Sequence, residues 1–244
     1  MLLALVLAAC SAGQGSGGQG SGQVVVQAAA SLTDAFADLV TVFQSQHPDV
    51  TVTLNFAGSQ SLATQIIEGA PADVFASAND IQMQRVDDAG LLAGAPEVFI
   101  ANALTIVVES GNPFDIHGLA DLANPDVVLV LPAPDVPAGA FAARALQNAG
   151  VQVTPASLEL DVRSTLSKVE LGEADAAIVY TSDALTAADT VLAVPIPEDQ
   201  NVIARYPIAV LSGAPNPGAA DLFVQFVLSE PAREILLEHA FVRP

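Results

Sequence analysis

Residues 24–36, VVVQAAASLTDAF, contain a strand, a turn and the start of a helix in one short stretch. Val24, Val25 and Val26 are β-branched and open the strand, which softens through Ala28, Ala29 and Ala30. Phe36, Leu39, Val40 and Phe43 then recur at i, i+3, i+4 and i+7, the period of an amphipathic helix. Ser31 and Asp34 form a Ser-x-x-Asp pattern, so Ser31 is expected to cap that helix. A strand that turns through a small polar residue into a helix leaves backbone N–H groups and a hydroxyl at the positive end of a helix dipole, where anions bind. Capping alone accounts for one such serine. The functional reading rests on the chain building the same arrangement several more times.

Downstream, β-runs alternate with helical patterns. Val50–Phe56 is expected as a strand after His47-Pro48, which ends the first helix, and a turn and helix follow in AGSQSLATQIIEG. Ala72–Ala78 reads as a strand, and Asn79-Asp80 as the cap of a helix running to Gly90. Further strands are expected at Leu104–Glu109, Val127–Leu131, Ser157–Val162, Ala176–Tyr180, Val191–Ile196 and Tyr206–Leu211. Leu119–Ala123 is a short helical turn, and a helix starts at Pro137 and stops at Gly150. Another helix covers Arg163–Glu170, and two closing helices carry Phe223, Phe226 and Val227, then Ile235 and Leu236. Strands separated by helices give βα units and a mostly parallel α/β sheet. Ligands of such sheets lie beyond the carboxyl ends of the strands. The turns there that offer a small polar residue or a free N–H are Ala30-Ser31, Gly58-Ser59-Gln60-Ser61, Pro137-Ala138-Gly139 and Asp161-Val162-Arg163, and the hydroxyl of Tyr180 ends its strand.

Composition narrows the function. Of 244 residues 52% are hydrophobic, ample for one large domain or two small ones. Lys and Arg total 7 against 27 Asp and Glu, a net charge of −20, which repels nucleic acid and anionic lipid. The single Cys excludes an internal disulfide framework and a cysteine-based zinc site, and His47, His117 and His239 show no ligand spacing. No cofactor is expected.

The cysteine lies where a covalent lipid belongs. Met1–Ala9 is an apolar run of signal-peptide length, too short to span a bilayer, and Leu7-Ala8-Ala9-Cys10 resembles a bacterial lipobox. By that resemblance residues 1–9 are a signal peptide and Cys10 becomes the lipidated N-terminus. No Lys or Arg precedes the run, so the true start is expected upstream. Residues 11–23 hold only Ser, Ala, Gly and Gln and read, with Cys10, as a flexible tether reaching roughly 20 Å.

The segments AASLTDAF, FAGSQSLATQI, PADVFASA, VPAGAFAARAL, DVRSTLSKVELGEADAAIVYTSDA and YPIAVL, in this order, resemble the periplasmic molybdate-binding proteins, the substrate-binding components of ABC transporters. The likeness runs from about Val24 to Pro244. It implies a type II periplasmic-binding fold, with two α/β lobes and the ligand in the cleft between them. It also implies that Ser31, Ser59, the main-chain N–H of Ala138 and of Val162, and the hydroxyl of Tyr180 hold molybdate or tungstate. The expected lobes are 24–103 with 206–244, and 104–205. The expected partners are the oxyanion, a transporter permease and, through Cys10, the outer face of a membrane, with the protein otherwise a monomer. The family's pattern carries a small residue where this chain has Gln60, and its charged positions on the VPAG helix are mostly alanine here.

Donor chemistry agrees with that expectation. Molybdate and tungstate are unprotonated dianions at neutral pH, so a site for them contains donors only. Surface charge is screened within about 8 Å at physiological salt, so local donors and helix dipoles decide binding. With no carboxylate or histidine in the site, affinity is expected to change little between about pH 6 and 8. Other readings remain open at this point. Ser31 and Ser59 are candidate nucleophiles of a serine hydrolase, although Gly58-Ser59-Gln60-Ser61 is not Gly-x-Ser-x-Gly and no histidine sits in a suitable motif. Arg163 is a candidate clamp for sulfate, phosphate or an organic anion, or else a solvated residue with an acidic partner. A sensory lobe pair is the fourth reading. Asp87-Asp88, Glu170, Glu173, His47 and His239 read as solvent-facing.

Overall fold

The computed structural model describes residues 21–244; the expected signal peptide, Cys10 and most of the expected tether lie outside them. Nine strands and eight α-helices follow one another: β1 (Gly22–Ala29), α1 (Thr33–Gln46), β2 (Val50–Ala57), α2 (Ser59–Ile67), β3 (Val74–Ala76), α3 (Asp80–Asp88), β4 (Glu97–Glu109), β5 (Leu129–Pro132), α4 (Pro137–Asn148), β6 (Ser157–Glu159), α5 (Val162–Glu170), β7 (Ala176–Tyr180), α6 (Thr181–Thr186), β8 (Val191–Pro195), β9 (Ile203–Val210), α7 (Pro217–Val227) and α8 (Glu230–Glu238). Short 3₁₀ turns cover Ala30–Leu32 and Leu119–Ala123. No described helix is long and apolar enough to cross a membrane.

The strands run in the order β2-β1-β3-β9-β4-β7-β5-β6, with β8 also on β4. β1 is parallel to β2 and β3, and β5 is parallel to β6 and β7, as the βα pattern predicts. The antiparallel pairings belong to the long strands. Residues 97–103 of β4 pair with β9, whereas residues 104–109 pair with β7 and β8. One strand thus serves two sets of partners, with a register shift between Val98 and Ile100.

Most elements form where their side chains require. Pro137 occupies the first turn of α4, and Asn79 caps α3 by accepting the Gln82 N–H at 2.9 Å. Gly69, Gly90 and Gly150 close their helices at φ of +92°, +72° and +69°. Phe36 and Phe43 of α1 are fully buried, and Phe43 meets Phe223 of α7 edge-on with centroids 5.3 Å apart. Burying a phenylalanine contributes roughly 1.5–3 kcal/mol, which pins α1 and the turn before it against the sheet.

Four local expectations are corrected. β4 begins at Glu97 rather than Leu104, and β9 at Ile203 rather than Tyr206, because each supplies the other's hydrogen bonds along this extra length. β6 ends at Glu159 and α5 begins at Val162, because the Asp161 carboxylate accepts the Ser164 N–H at 2.8 Å and starts the helix there. Residues 181–186 form the short helix α6 between β7 and β8, where no helix is expected from the sequence.

Candidate functional site

A small cavity, with an accessible volume of about 10 Å³, lies where the carboxyl ends of the strands meet the helix starts. Ser31, Ser59, Ala138, Val162 and Tyr180 all line it. The structure therefore brings together five residues spread over most of the chain. Ser31 sits in the 3₁₀ turn after β1, Ser59 opens α2, Ala138 lies in the first turn of α4, Val162 opens α5, and Tyr180 ends β7. Three helices of nine residues or more aim their positive ends at one place.

Each donor is free for a reason that can be traced. Ser59 Oγ accepts the Ala78 N–H at 3.0 Å, so its own proton is left to donate elsewhere. Ser31 Oγ lies 2.8 Å from Tyr206 Oη, and both are buried. Tyr180 Oη is buried with no hydrogen-bond partner among the described residues. The N–H groups of Ala138 and Val162 likewise meet no backbone acceptor among the described residues. Gly139 lets the start of α4 sit close to the end of β5, since a Cβ there would collide with the carbonyls of Pro132 and Ala133. A buried unpaired hydroxyl costs about 1–3 kcal/mol, so an acceptor is the species the Tyr180 hydroxyl calls for.

Electrostatics keep the site a donor set. Burial, with smaller contributions from Tyr206 and Asp183, pushes the Tyr180 phenol well above its usual range. Burial does the same for Tyr206, which stays protonated beside Ser31. Among the described residues, no carboxylate or imidazole lines the cavity. Behind Tyr180 lies Asp183 of α6, whose carboxyl is pushed up to about 7 by burial, partly offset by Arg163. A full set of N–H and O–H donors around a small volume suits a fully deprotonated oxyanion and offers nothing to an extra proton.

Several expectations change. Ser31 does not cap α1: Leu32 stands at the N-cap with no side-chain cap, and the Ser31 hydroxyl reaches Tyr206 instead. The intervening 3₁₀ turn shifts the helix start past the serine. Asp34, its supposed partner, pairs with Arg163. Arg163 also has Nε 3.3 Å from Asp183 Oδ1, so it is partly buried between two carboxylates and is not an anion clamp. Gln60 turns away from the cavity, its amide donating to the Leu160 carbonyl at 2.8 Å. Glu173 pairs with Lys168 and His239 with Asp38, both at the surface as read. Two contributors were missed. Tyr206 lies in the middle of β9, where the strand pattern gives it no site role; the signal available is that the chain has only 2 tyrosines, Tyr180 and Tyr206. Asp183 gave no signal, because its burial is set by packing against distant segments.

Comparison with known proteins follows the same lines. The family model described as bacterial extracellular solute-binding protein matches residues 24–242. The chain is 44% identical over 226 residues to the molybdate-binding protein ModA of Mycobacterium tuberculosis, covering 93% of this chain and 87% of that one. To ModA of Escherichia coli it is 34% identical over 233 residues, covering 90% and 89%. The periplasmic molybdate-binding protein of Azotobacter vinelandii superimposes with a TM-score of 0.79 at 18% identity, over 91% of this chain and 99% of that one.

Proposed function

The chain belongs to the bacterial extracellular solute-binding proteins, and from that premise we propose that it binds molybdate or tungstate and delivers it to the permease of an ABC transporter. The observation that carries the ligand class is the small cavity whose five candidate groups are all hydrogen-bond donors, one of them the unpartnered Tyr180 hydroxyl. In this reading Ser31, Ser59 and Tyr180 donate through hydroxyls, and Ala138 and Val162 through main-chain N–H. Hydrogen bonds to a charged ligand are the strong class, worth roughly 1.5–3 kcal/mol each.

A hydrolytic role finds no support in the geometry. Ser59 accepts from a backbone N–H, Ser31 faces a tyrosine, and no histidine lines the cavity to act as a base. Carriage without chemistry fits a family of solute binders.

The proposal includes the organisation of the whole molecule. One lobe comprises residues 24–103 and 206–244 and the other 104–205, with β4 and β9 as the connecting strands; the change of partners along β4 supports this division. Cys10 carries the lipid, residues 11–23 are the tether, and the monomeric binding domain works at the outer face of the membrane. Extended connection through a tether leaves the cavity free to meet the permease.

Calorimetric titration with molybdate, tungstate, sulfate and phosphate tests the ligand. The expected order is molybdate and tungstate together, sulfate well below because its tetrahedron is smaller, and phosphate lowest. A protonated phosphate oxygen would face donors and leave a buried O–H unpaired, at about 1–3 kcal/mol. Tight phosphate binding, or no binding of molybdate, overturns the reading.

A further inference from the structure

The segment Leu160–Arg163 presents the Val162 N–H to the cavity, and the other side of the cavity grips that segment at two points. The Gln60 amide donates to the Leu160 carbonyl at 2.8 Å, and Asp34 pairs with Arg163. The two gripping residues have a regular origin. Gln60 directly follows Ser59, and Asp34 lies three positions after Ser31. Each serine at the cavity therefore shares a turn of chain with a residue that holds the segment opposite.

The grips differ in character. Gln60 is buried, and its Oε1 makes no hydrogen bond among the described residues, so its side chain is held for what its amide donates. Gly58 makes room for it: a Cβ at position 58 would fall 2.5 Å from Gln60 Oε1 and 2.7 Å from the Leu160 carbonyl oxygen. The absence of a side chain at 58 thus lets the two sides approach. Asp34 is 47% exposed, whereas its partner Arg163 is 25% exposed and is anchored at its other edge by the fully buried Asp183. Arg163 thus has one partner in its own half of the molecule and a second across the cavity.

We propose that Gln60 and the Asp34–Arg163 pair form a two-point clasp that holds Val162 against the bound anion and sets how fast the anion leaves. Gln60 and Asp34 are positioning residues, since they touch protein and not ligand. The proposal rests on the molybdate reading and on the two-lobe division. A clasp that forms only after the anion has entered slows release and leaves encounter unchanged.

The experiment measures association and release of radiolabelled molybdate, the latter after a chase with excess unlabelled molybdate. The proteins are wild type, Gln60→Glu, Gln60→Ala, Asp34→Ala and the Gln60→Ala/Asp34→Ala double variant. Gln60→Ala removes the donor without adding charge, and Gln60→Glu keeps the side-chain shape but sets a carboxylate against the Leu160 carbonyl, so its release should be at least as fast. Each change at Gln60 is expected to speed release roughly two- to tenfold, the worth of a neutral hydrogen bond. Asp34→Ala is expected to speed it roughly two- to fivefold, because a half-exposed ion pair is weaker. The double variant is expected to release faster than either single one. Association rates, the preference for molybdate over sulfate and the melting temperature without ligand stay as in wild type. Unchanged release rates overturn the clasp, as does a loss of affinity that comes from slower association or a lowered melting temperature. Absence of molybdate binding by the wild type overturns the underlying reading instead.

Discussion

The hydroxyl oxygens of Ser31 and Tyr206 lie 2.8 Å apart across 175 positions of sequence. Burial raises the phenol of Tyr206, so it remains a donor. Either hydroxyl can donate in this pair; with Tyr206 as the donor, the serine proton is free to turn toward the cavity. Tyr206→Phe is therefore expected to weaken molybdate binding roughly two- to tenfold, through loss of one neutral hydrogen bond. Ser31→Ala removes the donor itself, and about 1.5–3 kcal/mol with it, roughly ten- to hundredfold in Kd. Because Tyr206 acts through Ser31, the double variant should bind no worse than Ser31→Ala alone. Calorimetry on all three variants checks this; additive losses would mean that Tyr206 contacts the anion independently.

Ser59 answers differently, since its oxygen is already used. Ser59→Ala removes a donor to the anion and also strands the buried Ala78 N–H, which Ser59 Oγ accepts at 3.0 Å. Affinity should fall roughly ten- to hundredfold. Stability without ligand should fall by about 1–3 kcal/mol, the cost of an unsatisfied buried amide. Ser31→Ala takes the serine partner from the buried Tyr206 hydroxyl, so its denaturation midpoint should fall as well. An unchanged midpoint for Ser59→Ala would contradict the assignment of the Ala78 N–H to Ser59.

The parts of the site legible in the sequence share one property: they are local. A serine after a β-run, Pro137 at a helix start and a tyrosine ending an apolar strand each announce a strand end or a helix N-terminus by chemistry within a few residues. The family resemblance then joined them into one set, which the cavity gathers. What remained unread is non-local. Glu97–Ala103 lacks strong alternation and becomes strand because β9 lies beside it. Ser31 looked like a cap because Ser-x-x-Asp is a local rule, and tertiary contacts with Tyr206 and Arg163 override it. Asp183 follows Thr181-Ser182, a sequence that reads as solvated turn, yet it is 1% exposed.

Lipid attachment at Cys10 is tested by location. Cys10→Ser should move the protein from the membrane fraction to the soluble fraction when the full chain is expressed with its leader in a bacterium that processes lipoproteins. Molybdate affinity of the released protein should equal that of the anchored one, since the tether lies outside the binding domain. An unchanged membrane fraction would show that something other than Cys10 holds the protein there.

Asp183 adds a directional expectation for pH behaviour to the flat one that the donor set alone gives. Its carboxyl is fully buried, with Oδ1 3.3 Å from Arg163 Nε, and burial, partly offset by Arg163, pushes its pKa from 3.8 to about 7. The folded protein then holds a proton that the unfolded chain has released. On this group's account stability is highest near pH 4 and below, declines as pH rises toward 7, and is flat above. The full span is about 4 kcal/mol at 1.36 kcal/mol per pKa unit. Denaturant titrations at low and high pH should show this loss in the wild type and less of it in Asp183→Asn, the difference isolating Asp183 from other acids. Binding follows the same sign. A dianion arriving beside Tyr180 favours the protonated form of Asp183, so binding takes up part of a proton. Molybdate affinity should therefore rise as pH falls from about 8 to about 6, by at most about tenfold per pH unit for one linked proton. Calorimetry of wild type and Asp183→Asn across that range decides it. A sloping profile for the wild type and a flat one for the variant are expected, and parallel profiles would remove Asp183 from the linkage.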